Sequence, residues 1–415
     1  MDHRGIKTET MIPDLMGCDT MSLRYWSLVL FLAGTLSLIS HAQDGTEPRT
    51  TKESSGLLLR EYRPKAKLVV PVHEVLRAKY PVVDVHTHFN IRFKHDKELL
   101  QAYVATMDRN GIAISISLDA TLGKNVDDHI DYLLTKYPHR FLIFANIDFQ
   151  GNAKQGDWDQ YACNQPGFAR HVAELMKEAS GKGLCGLKIF KQLGLEYRNP
   201  DGSFVAIDDS RFDPIWEACA QLDWPVIMHT ADPSAFFDPI DANNERLEEL
   251  ERHPEWAFPS PPFPSRDSLH AARNRVFEKH PKTRFIAAHL GNDGENLAQT
   301  QEWLDRYPNL YVEIASRISE LGRQPRVAKK FIEANAHRIL FGTDGPWPEQ
   351  RLRLYWRFLE TNDDAFPYSE KAPPPQGLWS IYGIQLDDAT LRKIYHENAI
   401  RLIPRIGDAI QTFQK

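Results

Sequence analysis

From residue 81 onward the chain alternates two hydrophobic rhythms. Short runs of strand length, rich in Val, Ile, Leu and Phe, are separated by longer stretches whose apolar residues recur every three or four positions. The short runs are "VVDVHTH", "GIAISISL", "RFLIFANID", "GLKIF", "PVIMH", "RFIAAHL", "LYVEIA" and "RILFGTD", eight in all. The long stretches, such as "KELLQAYVATMDRN", "FARHVAELMKEAS" and "PRVAKKFIEANA", read as amphipathic helices. Several close on Lys/Arg–Tyr/His–Pro, and proline just past a helix is a stop signal. Strands alternating with helices imply parallel βαβ units. Eight of them predict an α/β chain folded as a (β/α)8 TIM barrel. An open doubly wound sheet is the structural alternative, but no Gly-rich phosphate loop follows an early strand. Residues 231–268 and 345–388 exceed a minimal barrel. They are expected as extended loops on the C-terminal face, where barrel sites are built.

The pattern changes before residue 81. Met21-Ser22-Leu23-Arg24 leads into "YWSLVLFLAGTLSLI" and then "SHAQDG". One positive charge, a short apolar run and a small-x-Ala site fit a secretory signal over residues 21–42, cleaved after Ala42. The run is short against the about 20 residues of a membrane span. An uncleaved anchor is the alternative. Residues 1–20 are polar and sit awkwardly before a signal, so they read as an extension or a mis-assigned start. Residues 43–80 read as a linker and N-terminal arm, 81–403 as the barrel and 404–415 as a C-terminal tail. A periplasmic or extracellular protein is expected, with no stable membrane insertion after cleavage.

Charge and cysteine usage narrow the picture further. The net charge of -6, without a basic cluster, gives no reason to expect nucleic acid. Beyond the signal remain Cys163, Cys185 and Cys219, an odd number with no regular spacing. They read as buried thiols and not as a disulfide framework.

The strand ends carry the candidate chemistry. Residues i and i+2 of a strand share a side, so His86 and His88 face together. An H-x-H pair alone is a weak signal. The fifth run, however, ends at His229, the sixth at His289 and the eighth at Asp344. Core packing does not ask for polar groups there, whereas the C-terminal face of a barrel is where catalytic residues gather. Imidazole and carboxylate suit Zn²⁺ and similar divalent ions.

As an ordered set, "DVHTHF", "GLKIF", "VIMHT", "AAHLG", "FGTDGPW" and "YHENAIRLI" resemble the amidohydrolase superfamily. The resemblance is closer to its amidohydrolase-related branch, which includes the aminocarboxymuconate-semialdehyde decarboxylase-like enzymes. It spans about Tyr80 to Ile403. It implies one divalent metal ion, zinc as first choice, held by His86, His88, His229 and Asp344. It also implies that Asp344, in hydrolytic members, takes the proton of the attacking water, and that His289 beside the metal orients or deprotonates water or polarises the substrate. Binuclear relatives carboxylate a lysine on the fourth strand to bridge a second ion, and Lys188 stands in about that place. A bridging carbamate, a substrate contact and a structural role stay open for it.

Other neighbours of the site are weaker candidates. Phe236 and Phe237 follow His229 closely, and Arg317 and Arg323 follow the seventh strand, where arginine would suit a substrate carboxylate. Lys188, Arg317, Phe236 and Phe237 are the candidate substrate contacts. Asp232 is a candidate acceptor for the second nitrogen of His229. Glu313 is assigned to the barrel interior or to a helix contact. The expected function is hydrolysis of an amide, lactone or ester bond of a small molecule. The alternative is metal-dependent, non-oxidative decarboxylation of an aromatic or muconate-like acid. A barrel that only binds a ligand is a third reading, against which the five polar groups speak. Related barrels often pair, which leaves a homodimer open.

Overall fold

A computed structural model describes residues 56–58, 61–62, 64–65 and 67–414. The expected extension 1–20 and signal 21–42 lie outside the described residues, as do residues 43–55. Contacts divide the chain into residues 1–67 and 68–415. The described residues of the first unit are all exposed. The second unit holds the barrel.

Its eight strands are β1 (Val82–Thr87), β2 (Ile112–Thr121), β3 (Phe141–Asn146), β4 (Leu187–Ile189), β5 (Val226–Met228), β6 (Phe285–Ala287), β7 (Leu310–Glu313) and β8 (Ile339–Leu340). They form one sheet in chain order, and every neighbouring pair is parallel. The chain around and beyond β8 then returns to β1. Val85 N–H donates to the Phe341 carbonyl at 3.0 Å, Asp344 N–H to His86 at 2.8 Å and His88 N–H to Gly345 at 2.6 Å. These bonds close the sheet into the expected (β/α)8 barrel. Each predicted strand is present.

The crossover helices follow the predicted periodicity. The helix Lys97–Asn110 begins where the Asp96 carboxylate accepts the N–H groups of Glu98 and Leu99. It ends at Gly111, whose φ of 79° suits a left-handed cap. It buries Leu100, Tyr103, Val104 and Met107. Among the described residues, no helix is long and apolar enough to cross a membrane. Cys163, Cys185 and Cys219 are all buried and free.

Two segments differ from expectation. Residues 345–388, expected as loop, contain the helix Glu349–Glu360, which buries Leu352, Tyr355, Trp356, Phe358 and Leu359. Its apolar face is interrupted in sequence by arginines, which mask the period. Residues 404–415, expected as a tail, carry the helix Ile406–Gln414. Ile406, Ala409 and Ile410 join one buried cluster with Val83, Val85, Ile114, Ile116, Phe144, Ile227, Ile286 and Leu340. This helix sits at the N-terminal end of the barrel. Arg140, just before β3, lies over Phe413 at 5.3 Å, and Arg405 donates to the Gly183 carbonyl, just before β4, at 2.6 Å.

A register irregularity in β1 prepares the site. The β1–β2 register shifts between Asp84 and Thr87. Val83 and Val85 belong to the interior cluster, yet His86 also contacts the interior side chains of Lys188 and Glu313. A bulge of this kind re-aims a side chain at the end of a strand. Strict alternation from Val83 and Val85 would have turned His86 and His88 outward.

Candidate metal centre

Three ligand atoms converge at the mouth of the barrel. His86 Nε2 and His88 Nε2 are 3.2 Å apart. Asp344 Oδ1 lies 3.4 Å from His88 Nε2 and 3.7 Å from His86 Nε2. Two ligands each about 2.1 Å from one divalent ion, at tetrahedral or octahedral angles, are about 3.0–3.4 Å apart. The triangle therefore fits a shared ion. The His86 and His88 side chains are 1% and 9% exposed, against 28% for Asp344, so the approach is from the carboxylate's side.

Both imidazoles are held from behind by carboxylates. His86 Nδ1 donates to Glu313 Oε1 at 2.9 Å. His88 Nδ1 donates to Asp119 Oδ1 at 2.6 Å, and Asp119 Oδ2 accepts the N–H groups of Asn90 and Ile91. A carboxylate can only accept, so each Nδ1 carries the proton and each Nε2 presents its lone pair to the triangle. Burial, then the Lys188 charge, hold the His86 pKa well below its ordinary value. Burial opposes protonation of His88, but the Asp119 and Asp344 bonds outweigh it and raise its pKa. Burial raises Asp344, but His88 and His86 outweigh it and hold the carboxyl well below the usual range.

His289 stands beside this triangle, its ring centroid 4.8 Å from that of His86. Its Nδ1 donates to the Ala315 carbonyl at 2.8 Å, which leaves Nε2 as the free nitrogen. Burial, then His229, hold its pKa well below the ordinary value. With Glu313 and His86 it forms a second close group of ligand atoms. His229 lies farther out, 4.7 Å centroid to centroid from His289. Its Nε2 is turned to the Ala231 carbonyl at 3.1 Å and to Asp232 Oδ1 at 3.4 Å, so Nδ1 is its free nitrogen. The structure thus brings His86, His88 and Asp344 together and leaves His229 outside their triangle. Asp232 is the expected acceptor for His229, and it also pairs with Lys191 at 2.5 Å.

The loops that deliver these groups are conformationally unusual. Ala231, His289, Ser316 and Asp344 follow β5, β6, β7 and β8, and all have φ between 56° and 62°. A left-handed backbone costs a non-glycine residue about 1 kcal/mol or more, and such residues collect at functional sites. Gly342 meets a tighter limit. A Cβ there would lie 2.7 Å from Glu313 Oε2 and 3.1 Å from His86 Cβ.

Above the triangle opens a cleft of about 550 Å³. Phe236 and Arg317 line it, as expected of substrate contacts, with His229, His289 and Asp344. Lys188 does not. It is buried below, with Nζ 3.2 Å from His86 Nε2, and burial lowers its pKa to about 8. Phe237 packs on Phe258 instead, and Arg323 pairs with Glu245 and stacks on Trp379. Glu313 points into the barrel, as one of its two assignments had it.

Sequence reasoning missed Asp119, Arg92, Trp347 and Arg246. Asp119 left a signal, as the one charge in an otherwise uncharged strand. Trp347 closes the motif "FGTDGPW" without an assigned role, and Arg92 and Arg246 lie at helix ends, where nothing in the pattern marks them.

Several solved structures are similar. They include 2,6-dihydroxybenzoate decarboxylase from Rhizobium, at 18% identity, covering 78% of this chain and 98% of that one, with a TM-score of 0.46. A dihydroxybenzoic acid decarboxylase from Polaromonas sp. JS666, with bound manganese and the inhibitor 2-nitroresorcinol, shares 17% identity over 78% of this chain and 96% of that one, TM-score 0.46. The 5-carboxyvanillate decarboxylase of Sphingomonas paucimobilis shares 13% identity over 79% and 99%, TM-score 0.42. A family model described as Amidohydrolase matches residues 83–405. That match runs from β1, with its paired histidines, to the turn before the closing helix, and the chain belongs to the amidohydrolase family.

Proposed function

We propose that this chain is a metal-dependent hydrolase that cleaves a C–N or C–O bond of a small molecule. The observation that carries the reading is the split role open to Asp344. Its Oδ1 completes the triangle with His86 and His88, while Oδ2 accepts from Ser316 Oγ at 3.2 Å beside the cleft. One oxygen can face an ion while the carboxylate still accepts a proton.

His86, His88 and Asp344 would hold the ion, with His229, whose Nδ1 is free, as a candidate fourth ligand. A divalent ion held there, zinc in this reading, would supply Lewis acidity toward a carbonyl and toward water near neutral pH. Asp344 would take a proton from water as the water oxygen bonds to the carbonyl carbon. The C–N or C–O bond then breaks, and Asp344 returns the proton to the leaving atom. His289, held neutral, offers Nε2 to orient the water. Export, expected from residues 21–42, fits hydrolysis of scavenged compounds.

Elemental analysis of the purified chain, followed by a panel of lactones, esters and amides with and without chelator, tests this. Bound divalent metal and chelator-sensitive hydrolysis are expected. Absence of metal together with chelator-insensitive activity overturns the reading. A second reading, non-oxidative decarboxylation, is favoured by the cations beside the triangle: Arg92 donates to the Asp344 carbonyl at 2.9 Å and Arg317 lines the same cleft. Release of CO2 from aromatic acids, with no hydrolysis, would put that reading in place of the first.

A further inference from the structure

Trp347 stands three residues past Asp344, on the wall of the same cleft. Its Nε1 donates to the Thr343 carbonyl at 2.8 Å, which fixes the indole to the turn that carries Asp344. The guanidinium carbon of Arg92 lies 3.9 Å from the ring centroid and that of Arg351 lies 3.5 Å from it. Two guanidinium groups at these distances would overlap on one face, because non-bonded carbons need about 3.5–4.0 Å. The indole is therefore stacked between them.

Among the described residues, neither guanidinium of this stack is in an ion pair, although the Asp344 and Asp119 carboxylates act on Arg92 from a distance. Three other cations of the cleft have acidic partners: Lys191 has Asp232, Arg246 has Glu249 and Glu320, and Arg317 has Glu320. Arg252, at its rim, is held by the Glu248 and Pro375 carbonyls. The acid nearest in sequence to Arg351 is Glu349, and it pairs with Arg353 and Arg109 instead. Among the described residues, the Arg351 guanidinium has no hydrogen bond or ion pair. The Arg92 guanidinium has only the Asp344 carbonyl. Stacking fixes the plane of a guanidinium while leaving its N–H edge open, the geometry that suits a carboxylate.

We infer that Arg92, Trp347 and Arg351 form the recognition element for a carboxylate of the substrate, so that the enzyme acts on small organic acids. This rests on the hydrolase reading of the adjoining triangle and deepens it. The carboxylate held at the stack is not the group that reacts; it anchors the molecule with its scissile bond toward His86, His88 and Asp344.

The test is calorimetric titration of the full chain with benzoate and phthalate, and with benzamide as the neutral counterpart. It is run on the metal-loaded and the chelator-treated protein, for wild type, Arg351→Gln and Arg351→Lys. The carboxylates are expected to bind about tenfold or more tighter than benzamide, in both metal states. Arg351→Gln should remove that preference, Arg351→Lys should keep part of it, and metal content and benzamide affinity should not change. Carboxylate affinity of the wild type should also fall as salt is raised, while that of benzamide does not. This holds the test should a variant fail to fold. Equal affinity for benzoate and benzamide, or carboxylate binding indifferent to Arg351→Gln, overturns the inference. A carboxylate preference in a chain that binds no divalent metal as purified and shows no chelator-sensitive hydrolysis would sink the hydrolase reading alone, and hydrolysis restricted to neutral substrates would sink the anchor alone.

Discussion

Glu313 grips His86 with the same oxygen that receives the backbone of His289. Oε1 accepts His86 Nδ1 at 2.9 Å and His289 N–H at 2.7 Å, while Oε2 accepts Ala315 N–H. One buried carboxylate on β7 thus sets the ring of β1 and the turn after β6 together. Glu313→Gln presents an amide that can donate as well as accept, so the His86 tautomer is no longer fixed. Metal affinity is expected to fall about 10–100-fold. Competition with a chromogenic chelator measures it.

Gly342→Ala tests the same contact by steric means. The added methyl would meet the Glu313 carboxylate and the His86 Cβ inside normal contact distance. A loss of about 1–3 kcal/mol in unfolding free energy is expected. Metal affinity should fall with it, because the atoms displaced are those that aim His86. Denaturant unfolding and metal analysis on one preparation check both.

Asp344→Asn keeps an oxygen for the triangle and removes the proton acceptor. Turnover of any substrate found in the panel should drop by about 10²–10⁴. The variant should still retain metal above the level of His86→Ala. Equal turnover in wild type and variant would exclude Asp344 as the base.

Glu320 gives a pH prediction away from the triangle. It is buried between Arg317 and Arg246. Burial would raise its carboxyl, but Arg317, then Arg246, outweigh it and bring the pKa from the ordinary 4.5 down to about 2. A depressed acid stabilises the fold above its unfolded pKa, and that stability is lost as pH falls through about 2. The span is worth roughly 3 kcal/mol. Glu320→Gln should lower stability at neutral pH and flatten the stability curve between about pH 4.5 and 2. Denaturant midpoints across that range read both effects.

Ile410→Ala tests the closing helix. Ile410 is 4% exposed and packs in the interior cluster of the barrel. A loss of about 2–5 kcal/mol is expected by denaturant unfolding. An unchanged midpoint would mean that the helix is an ornament on a barrel already complete.

The strands and crossover helices were legible because each buries one regular face, and regular burial writes its period into the sequence. The helix Glu349–Glu360 was not, because Arg351, Arg353 and Arg357 break up its apolar residues. Nor was the closing helix, whose short run gains meaning only from the open barrel end it fills. His86, His88, His289 and Asp344 were legible as polar residues ending apolar strands. Their aim was not. The bulge in β1, the left-handed residues after β5 to β8 and the outward turn of His229 are properties of the folded backbone, and no side-chain type announces them.

Asp84 and Thr343 are 259 residues apart in sequence, yet the Asp84 carboxylate accepts both the backbone N–H and the hydroxyl of Thr343, at 3.0 and 2.5 Å. The proposed ion would sit across this same junction, with two ligands made first and the third made last. A chain emerging from the ribosome therefore displays His86 and His88 long before Asp344 exists. Synthesis proceeds at about 5–20 residues per second, so the half-site stays open for many seconds. Stable loading would wait until the turn that carries Asp344 has paired back onto β1, so that metal retention reports whether the barrel has closed.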